Sequence, residues 1–255
     1  MSLPNPFDFT GKTVILAGAT GGLGQPIAAA FAEAGANLAL CARGEPALAK
    51  LAAELRGAKG GLMSAKVDLC DETDVARFTE AVKARFGTID VLVTLVGGII
   101  RKPSVDYSLA EWQQVMDVNL KACWLICQSV GRVMIAQKSG RIVNFSSNAG
   151  MHGIAGYPAY SPAKAGVIAL TRGLAVEWGP FGINTNALSP GFAVTPFNSD
   201  VLNDAKRVEQ IMKRMPLGKL LPADALVGPT LFLASDAARW INGHTINVDT
   251  GFNVT

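Results

Sequence analysis

Short apolar runs alternate with longer amphipathic segments along almost the whole chain. Thr13-Val14-Ile15-Leu16-Ala17 is one such run, ended by Gly18, which predicts a buried strand. Residues 24–35 are Ala-rich, with Pro26 in the first turn and Gly35 just past the end, and predict a helix. The alternation continues with strand 37–42, helix 45–56 and strand 62–67. A helix to about Phe86 then starts at Asp71-Glu72-Thr73-Asp74, where carboxylates suit the positive end of the helix dipole. Strand 90–96, a long helix over 109–137, strand 141–146, a helix over 157–178 and strand 183–188 follow. A less regular stretch, 190–221, precedes a helix near 223–234 and a last strand at 245–248.

No Pro/Gly/Ser-rich linker interrupts this order. Continuous β-α alternation with apolar strands implies a parallel sheet covered on both faces. The expected fold is therefore α/β: a single doubly wound, Rossmann-like domain spanning 1–255, with seven parallel strands flanked by helices.

Composition narrows the picture by exclusion. Of the 255 residues, 49% are hydrophobic and only 17% charged, which rules out a disordered chain. The 27 glycines follow no three-residue period, so they point to tight turns and close backbone approaches. Net charge is +3, and no basic run exceeds Arg101-Lys102, so the electrostatic footprint of a nucleic-acid binder is missing. The start, MSLPNPFDFTGK, lacks the layout of a signal peptide. The longest nearly apolar stretch, Val91 to Ile100, has roughly half the length of a bilayer span. Cys41, Cys70, Cys123 and Cys127 form no CxxC pair and fit reduced thiols; no metal site is expected. These features predict a cytoplasmic protein with no membrane or nucleic-acid partner.

Candidate chemistry begins at the first strand-to-helix turn, Gly18-Ala19-Thr20-Gly21-Gly22-Leu23-Gly24. Glycines there let the backbone turn sharply and approach a pyrophosphate, whose charge the helix amino end stabilises. The spacing is G-x-x-x-G-x-G rather than the standard G-x-G-x-x-G. Strand two ends Cys41-Ala42-Arg43, without the carboxylate that would hold a ribose 2′-hydroxyl. Arg43 instead offers a planar fork suited to a 2′-phosphate, so NADP is preferred over NAD. Asp68, ending strand three, can accept from an adenine amino group or serve a local turn. Further on, Tyr160-Ser161-Pro162-Ala163-Lys164 follows Ser146-Ser147 at a strand end. A Tyr and a Lys at i and i+4 share a helix face, about 5–6 Å apart at Cβ. A free phenol titrates near pH ~10, and a neighbouring ammonium is expected to lower that value. A strand-end serine can hold the substrate oxygen while the phenol moves the proton.

Taken together, Gly18/Gly22/Gly24, Asp68, Asn119, Ser147, Tyr160/Lys164, Pro190-Gly191 and Thr195 resemble a short-chain dehydrogenase/reductase over essentially the whole chain. That resemblance implies hydride transfer between a nicotinamide and an alcohol or carbonyl carbon. It implies Tyr160 as acid/base, Lys164 as the group that lowers its pKa and holds the nicotinamide ribose, and Ser147 as the orienter of the substrate oxygen. Asn119 would hold a water linking Lys164 to solvent. Cofactor contacts would come from Gly18, Thr20, Gly22, Leu23, Gly24, Arg43, Asp68, Leu69, Gly97, Tyr160, Lys164, Pro190, Gly191 and Thr195. A homotetramer built through the long helices is also implied. The chain departs from the family at Ala17, where Thr is usual, and at Thr94-Leu95-Val96-Gly97, where Asn-Asn-Ala-Gly is usual.

Substrate contacts are expected from Gly98–Lys102, Asn148–Tyr157 and the 190–221 stretch, whose length suits a lid. Its apolar residues Phe192, Phe197, Leu202, Met212 and Met215, if they line the pocket, favour a hydrophobic ketone or alcohol over a charged sugar acid. Arg101, Lys102, Lys206, Arg207, Lys213 and Arg214 leave a carboxylate-bearing or carrier-linked substrate open, with a solvated surface as the plainer reading. The main activity expected is a secondary alcohol/ketone oxidoreductase. Alternatives are a non-catalytic dinucleotide sensor, or a 3-oxoacyl-carrier or gluconate-type reductase. An extended epimerase would need more chain after Pro190-Gly191, and a methyltransferase would leave Tyr160 and Lys164 unexplained.

Overall fold

In a computed structural model describing residues 5–255, the apolar runs form seven strands of one sheet. The first four residues of the amino-terminal segment read above lie outside the described residues. The elements are β1 (Thr13–Ala17), α1 (Gly24–Glu33), β2 (Asn37–Ala42), α2 (Glu45–Glu54), β3 (Leu62–Lys66), α3 (Glu72–Phe86) and β4 (Val91–Thr94). Next come α4 (Leu109–Met116), α5 (Ala122–Gln137), β5 (Gly140–Phe145), α6 (Tyr160–Trp178) and β6 (Ile183–Pro190). The chain closes with α7 (Ser199–Leu202), α8 (Ala205–Met212), α9 (Val227–Ala234) and β7 (Thr245–Val248).

All strand pairs are parallel, in the order β3-β2-β1-β4-β5-β6-β7. Period-two alternation distributes β1 between two cores. Val14 and Leu16 join Ile27 and Phe31 of α1, Leu48 of α2 and Leu233 of α9. Ile15 and Ala17 join Phe78 of α3, Ile126 and Met134 of α5 and Trp178 of α6. Both faces of the sheet are thus buried, as the apolar strands require. The order reverses between β1 and β4, and the crevice beyond the carboxyl ends of those strands is where such sheets hold ligands.

Four departures from expectation bear on the site, while several other element ends shift by one or two residues. β4 ends at Thr94, because Leu95 and Val96 leave the ladder after one last bond from Leu95 N to the Ala17 carbonyl (2.7 Å). The predicted 109–137 helix contains a π-helical turn, residues 117–121, between α4 and α5. α6 starts at Tyr160 rather than Tyr157: Gly156 has φ +82°, and Pro158 disfavours helix at the residue before it. The 190–221 stretch is ordered rather than irregular, with α7, α8 and a bridge from Ala193 to Leu221.

Candidate active site

The turn from β1 into α1 is built by close approaches. Gly18 has φ +87°, and a Cβ there would lie 3.0 Å from the Leu95 carbonyl carbon. A Cβ on Gly22 would lie 2.9 Å from the Thr195 side chain, and one on Gly24 would strike the Ala19 carbonyl. Contacts within the chain by themselves demand glycine at these three positions, whereas a Cβ on Gly21 would meet only the Gly18 carbonyl oxygen, at 3.6 Å. The turn nonetheless fits an anion. α1 begins without a side-chain cap and without an acidic residue in its first turn. The backbone N–H groups of Thr20, Gly22 and Leu23 have no acceptor among the described residues. Unpaired amides at a helix amino end are a phosphate cradle.

One concavity on this side is lined by Gly18, Thr20, Gly21, Arg43, Asp68 and Leu69, and continues along Leu95–Gly97. Arg43 is exposed at its rim, with no ion-pair partner among the described residues. Asp68 uses Oδ1 to accept from Cys70 N (2.9 Å), the local turn, while remaining part of the concavity. A second concavity shares Gly21 and Leu95–Gly97 with the first and takes in Gly22, Leu23, Gly24, Ser147, Tyr160, Lys164, Pro190, Gly191 and Thr195. The structure thus brings the expected residues to one two-lobed groove, except Asn119, which lies directly behind it.

Ser146 and Ser147 separate cleanly. Ser146 is buried and its hydroxyl donates to the Lys164 carbonyl (2.8 Å), tying β5 to α6. Ser147 faces the groove, where its hydroxyl donates to Asn148 Oδ1 (3.2 Å) and accepts from Ala149 N (3.2 Å). Tyr160, the first residue of α6, is buried between Tyr157 and Phe197, with ring centroids 5.8 and 6.0 Å away. Lys164 Nζ lies 5.8 Å from the Tyr160 ring centroid and donates to the carbonyls of Val96 (3.1 Å) and Phe145 (2.9 Å). Asn119, inside the π-helical turn, donates to the carbonyls of Gly98 (2.7 Å) and Val115 (2.8 Å). A Cβ on Gly97 would meet Asn119 Oδ1 at 2.8 Å and Lys164 Nζ at 3.4 Å, so this glycine lets the two polar groups converge.

Burial dominates the electrostatics. It pushes the Tyr160 phenol up to about 12, with Ser147 and Arg101 pulling the other way. It pulls the Lys164 ammonium down to about 8. The expected lowering of the phenol by Lys164 is therefore not a property of the protein groups alone. The ammonium sits against two carbonyls instead of the phenol oxygen, and desolvation outweighs it. At neutral pH Tyr160 is a protonated donor.

A family model described as enoyl-(acyl carrier protein) reductase matches residues 18–253. The chain belongs to the short-chain dehydrogenase/reductase family. It is 34% identical over 254 residues to D-threitol dehydrogenase of Mycolicibacterium smegmatis, covering 100% of this chain and 97% of that protein. It is 36% identical over 252 residues to 2-dehydro-3-deoxy-D-gluconate 5-dehydrogenase of Dickeya dadantii, covering 97% and 98%. The crystal structure of a gluconate 5-dehydrogenase from Burkholderia cenocepacia, in complex with NADP and tartrate, superposes with a TM-score of 0.94 at 32% identity, covering 98% of each chain. Short-chain dehydrogenase/reductases bind NAD(P) and are oxidoreductases, and this chain is one of them.

In this short-chain dehydrogenase/reductase the Thr94 departure is absorbed locally. Thr94 Oγ1 donates to Asn144 Oδ1 (3.0 Å), bonding β4 to β5, and Asn144 Nδ2 donates to Thr171 Oγ1 (3.0 Å) on α6. Cys123 and Cys127 turn their thiols to the same Asn144 oxygen. Of the apolar residues expected in the substrate region, Phe192 and Phe197 line the groove, whereas Leu202, Met212 and Met215 do not. Arg101 was expected at a solvated surface. It instead lines the groove with only 14% of its side chain exposed, because Tyr157, Asn198 and Asp200 converge on it. Asn148 also lines the groove, and its buried Nδ2 has no partner among the described residues.

Proposed function

We propose that the protein interconverts a secondary alcohol and a ketone, with NADP as preferred cofactor and NAD accepted less well. The observation that carries this is the meeting of the Ser147 and Tyr160 side chains with the glycine turn in one groove. In this reading the turn amides of Thr20, Gly22 and Leu23 hold the pyrophosphate, and Gly18, Gly24, Asp68, Leu69, Gly97, Pro190, Gly191 and Thr195 complete the cofactor wall. The unpaired guanidinium of Arg43 supports the preference for a 2′-phosphate. Hydride transfer is the chemistry that a nicotinamide supplies when bound. Tyr160 donates the proton to the carbonyl oxygen in reduction and takes it back in oxidation. Ser147 orients that oxygen. Lys164 holds the ribose and, with Asn119 and a water, passes protons to solvent.

The substrate is small. Relatives whose names specify D-threitol and 2-dehydro-3-deoxy-D-gluconate support a polyhydroxylated compound, and Asn148 and Asn198 supply amides for its hydroxyls. The whole chain acts as one catalytic domain, with 190–221 as the substrate lid. It works as a homo-oligomer, a tetramer by family resemblance, supported by Trp112 and Trp124 standing 37% and 43% exposed on α4 and α5. No helix among the described residues is long and apolar enough to cross a membrane. The free thiols suit a reducing compartment such as the cytoplasm. Replacing Tyr160 by Phe is expected to lower kcat by roughly 10²–10⁴-fold. NADPH affinity, read by fluorescence titration, should stay nearly unchanged and exceed that for NADH. A fully active Tyr160→Phe variant would sink the assignment.

A further inference from the structure

Arg101 enters the groove from the loop after β4, and its guanidinium is held at three points. Nε donates to the Tyr157 hydroxyl (3.0 Å), one terminal nitrogen to Asp200 Oδ1 (2.9 Å), the other to Asn198 Oδ1 (3.0 Å). Its central carbon lies 5.4 Å from the Tyr157 ring centroid and 5.6 Å from that of Phe197. A guanidinium carries five N–H groups, so each terminal nitrogen keeps one to offer. A desolvated cation aimed into a substrate groove is ordinarily a seat for a carboxylate. Here the chain supplies that carboxylate itself, from α7.

Apart from the glycine-turn amides, which the cofactor pyrophosphate takes, the groove carries no second seat for an anion. Lys164, the other cation in the lining, is pinned to two carbonyls. Ile99, Phe145, Phe192 and Phe197 are apolar, and Asn148 and Asn198 are uncharged. An acidic substrate would have to share Arg101 with Asp200, two like charges on one cation. A hydroxyl meets no such penalty and can accept from the remaining N–H groups.

We propose that Asp200 is a specificity-determining residue: it fills the carboxylate seat of Arg101 and turns the groove toward uncharged polyols and hydroxyketones, away from sugar acids. The proposal rests on the alcohol–ketone reading and sharpens it to a substrate class.

Calorimetric titration of D-threitol and D-gluconate into the NADPH-loaded protein tests it. An alcohol has no hydride acceptor there, so binding is read without turnover. The wild type should bind D-threitol at least as tightly as D-gluconate. Asp200→Asn keeps an oxygen for Arg101 but removes the charge, and should tighten D-gluconate about tenfold while moving D-threitol less than about threefold. Adding Arg101→Met to Asp200→Asn should erase the gain. Equal shifts for both ligands, an unchanged D-gluconate affinity, a wild-type preference for D-gluconate, or no measurable binding of either would overturn the proposal. Failure of the alcohol–ketone reading shows separately, as no oxidation of any alcohol with NADP while the Asp200→Asn shift persists.

Discussion

Lys164 is a buried ammonium with no carboxylate partner among the described residues, hydrogen-bonded instead to two backbone carbonyls. That arrangement holds the side chain at one place but leaves the charge poorly solvated, which is why its pKa falls to about 8. A basic group depressed on folding contributes stability that is present above its unfolded pKa and lost as pH falls through its folded one. Wild type should therefore gain roughly 3 kcal/mol over a Lys164→Met variant as pH rises from below 8 to above 10.5, measured by denaturant unfolding of both proteins. A pH-independent difference between them would show that Lys164 is not the titrating group. The same burial keeps Tyr160 protonated, so the phenol enters a reduction already carrying its proton. Reduction then needs no prior uptake, whereas oxidation needs a route by which the proton leaves.

At the scale of elements, the site depends on β4 and β5 ending side by side, since the Val96 carbonyl two residues past β4 and the Phe145 carbonyl at the end of β5 hold Lys164. Thr94 and Asn144 fasten those ends together. Thr94→Val keeps the shape and removes the donor, and should cost about 1 kcal/mol by urea denaturation. A loss near zero would mean that the thiols of Cys123 and Cys127 satisfy Asn144 unaided. The β-α alternation was legible in the chain because strands buried on both faces must be apolar throughout. Ser147, Tyr160 and Lys164 were legible because their spacing is fixed by one strand end and one helix turn. The setting of Arg101 was not. Its partners Asn198 and Asp200 lie almost a hundred residues away, in and just before a four-residue helix too short to show a period. Nor could spacing alone show that Gly22 and Gly24 answer to Thr195 and Ala19, because tight packing and ligand approach demand the same residue.

For the whole molecule, Trp112 and Trp124 offer a shared apolar surface on α4 and α5 for association. Ile126 on α5 and Trp178 on α6 turn inward, so the exposed apolar face of these long helices is narrow. Trp124→Glu should lower the mass seen by sedimentation velocity; an unchanged assembly would place the contact elsewhere. The strand order has a consequence of a different kind. β1 pairs on one side with β2, its neighbour in the chain, and on the other with β4, reached only after two further β-α units. The glycine turn and Arg43 belong to a contiguous opening stretch, although Gly18 packs on Leu95 and Gly22 on Thr195, much further along the chain. Ser147, Tyr160 and Arg101 gain their surroundings only once β4 has inserted between β1 and β5, a non-local pairing of the slow sort. Arg43 thus sits in the opening stretch, whereas the cofactor wall that Gly97, Pro190 and Thr195 complete, and the chemistry beside it, wait on the same non-local pairings.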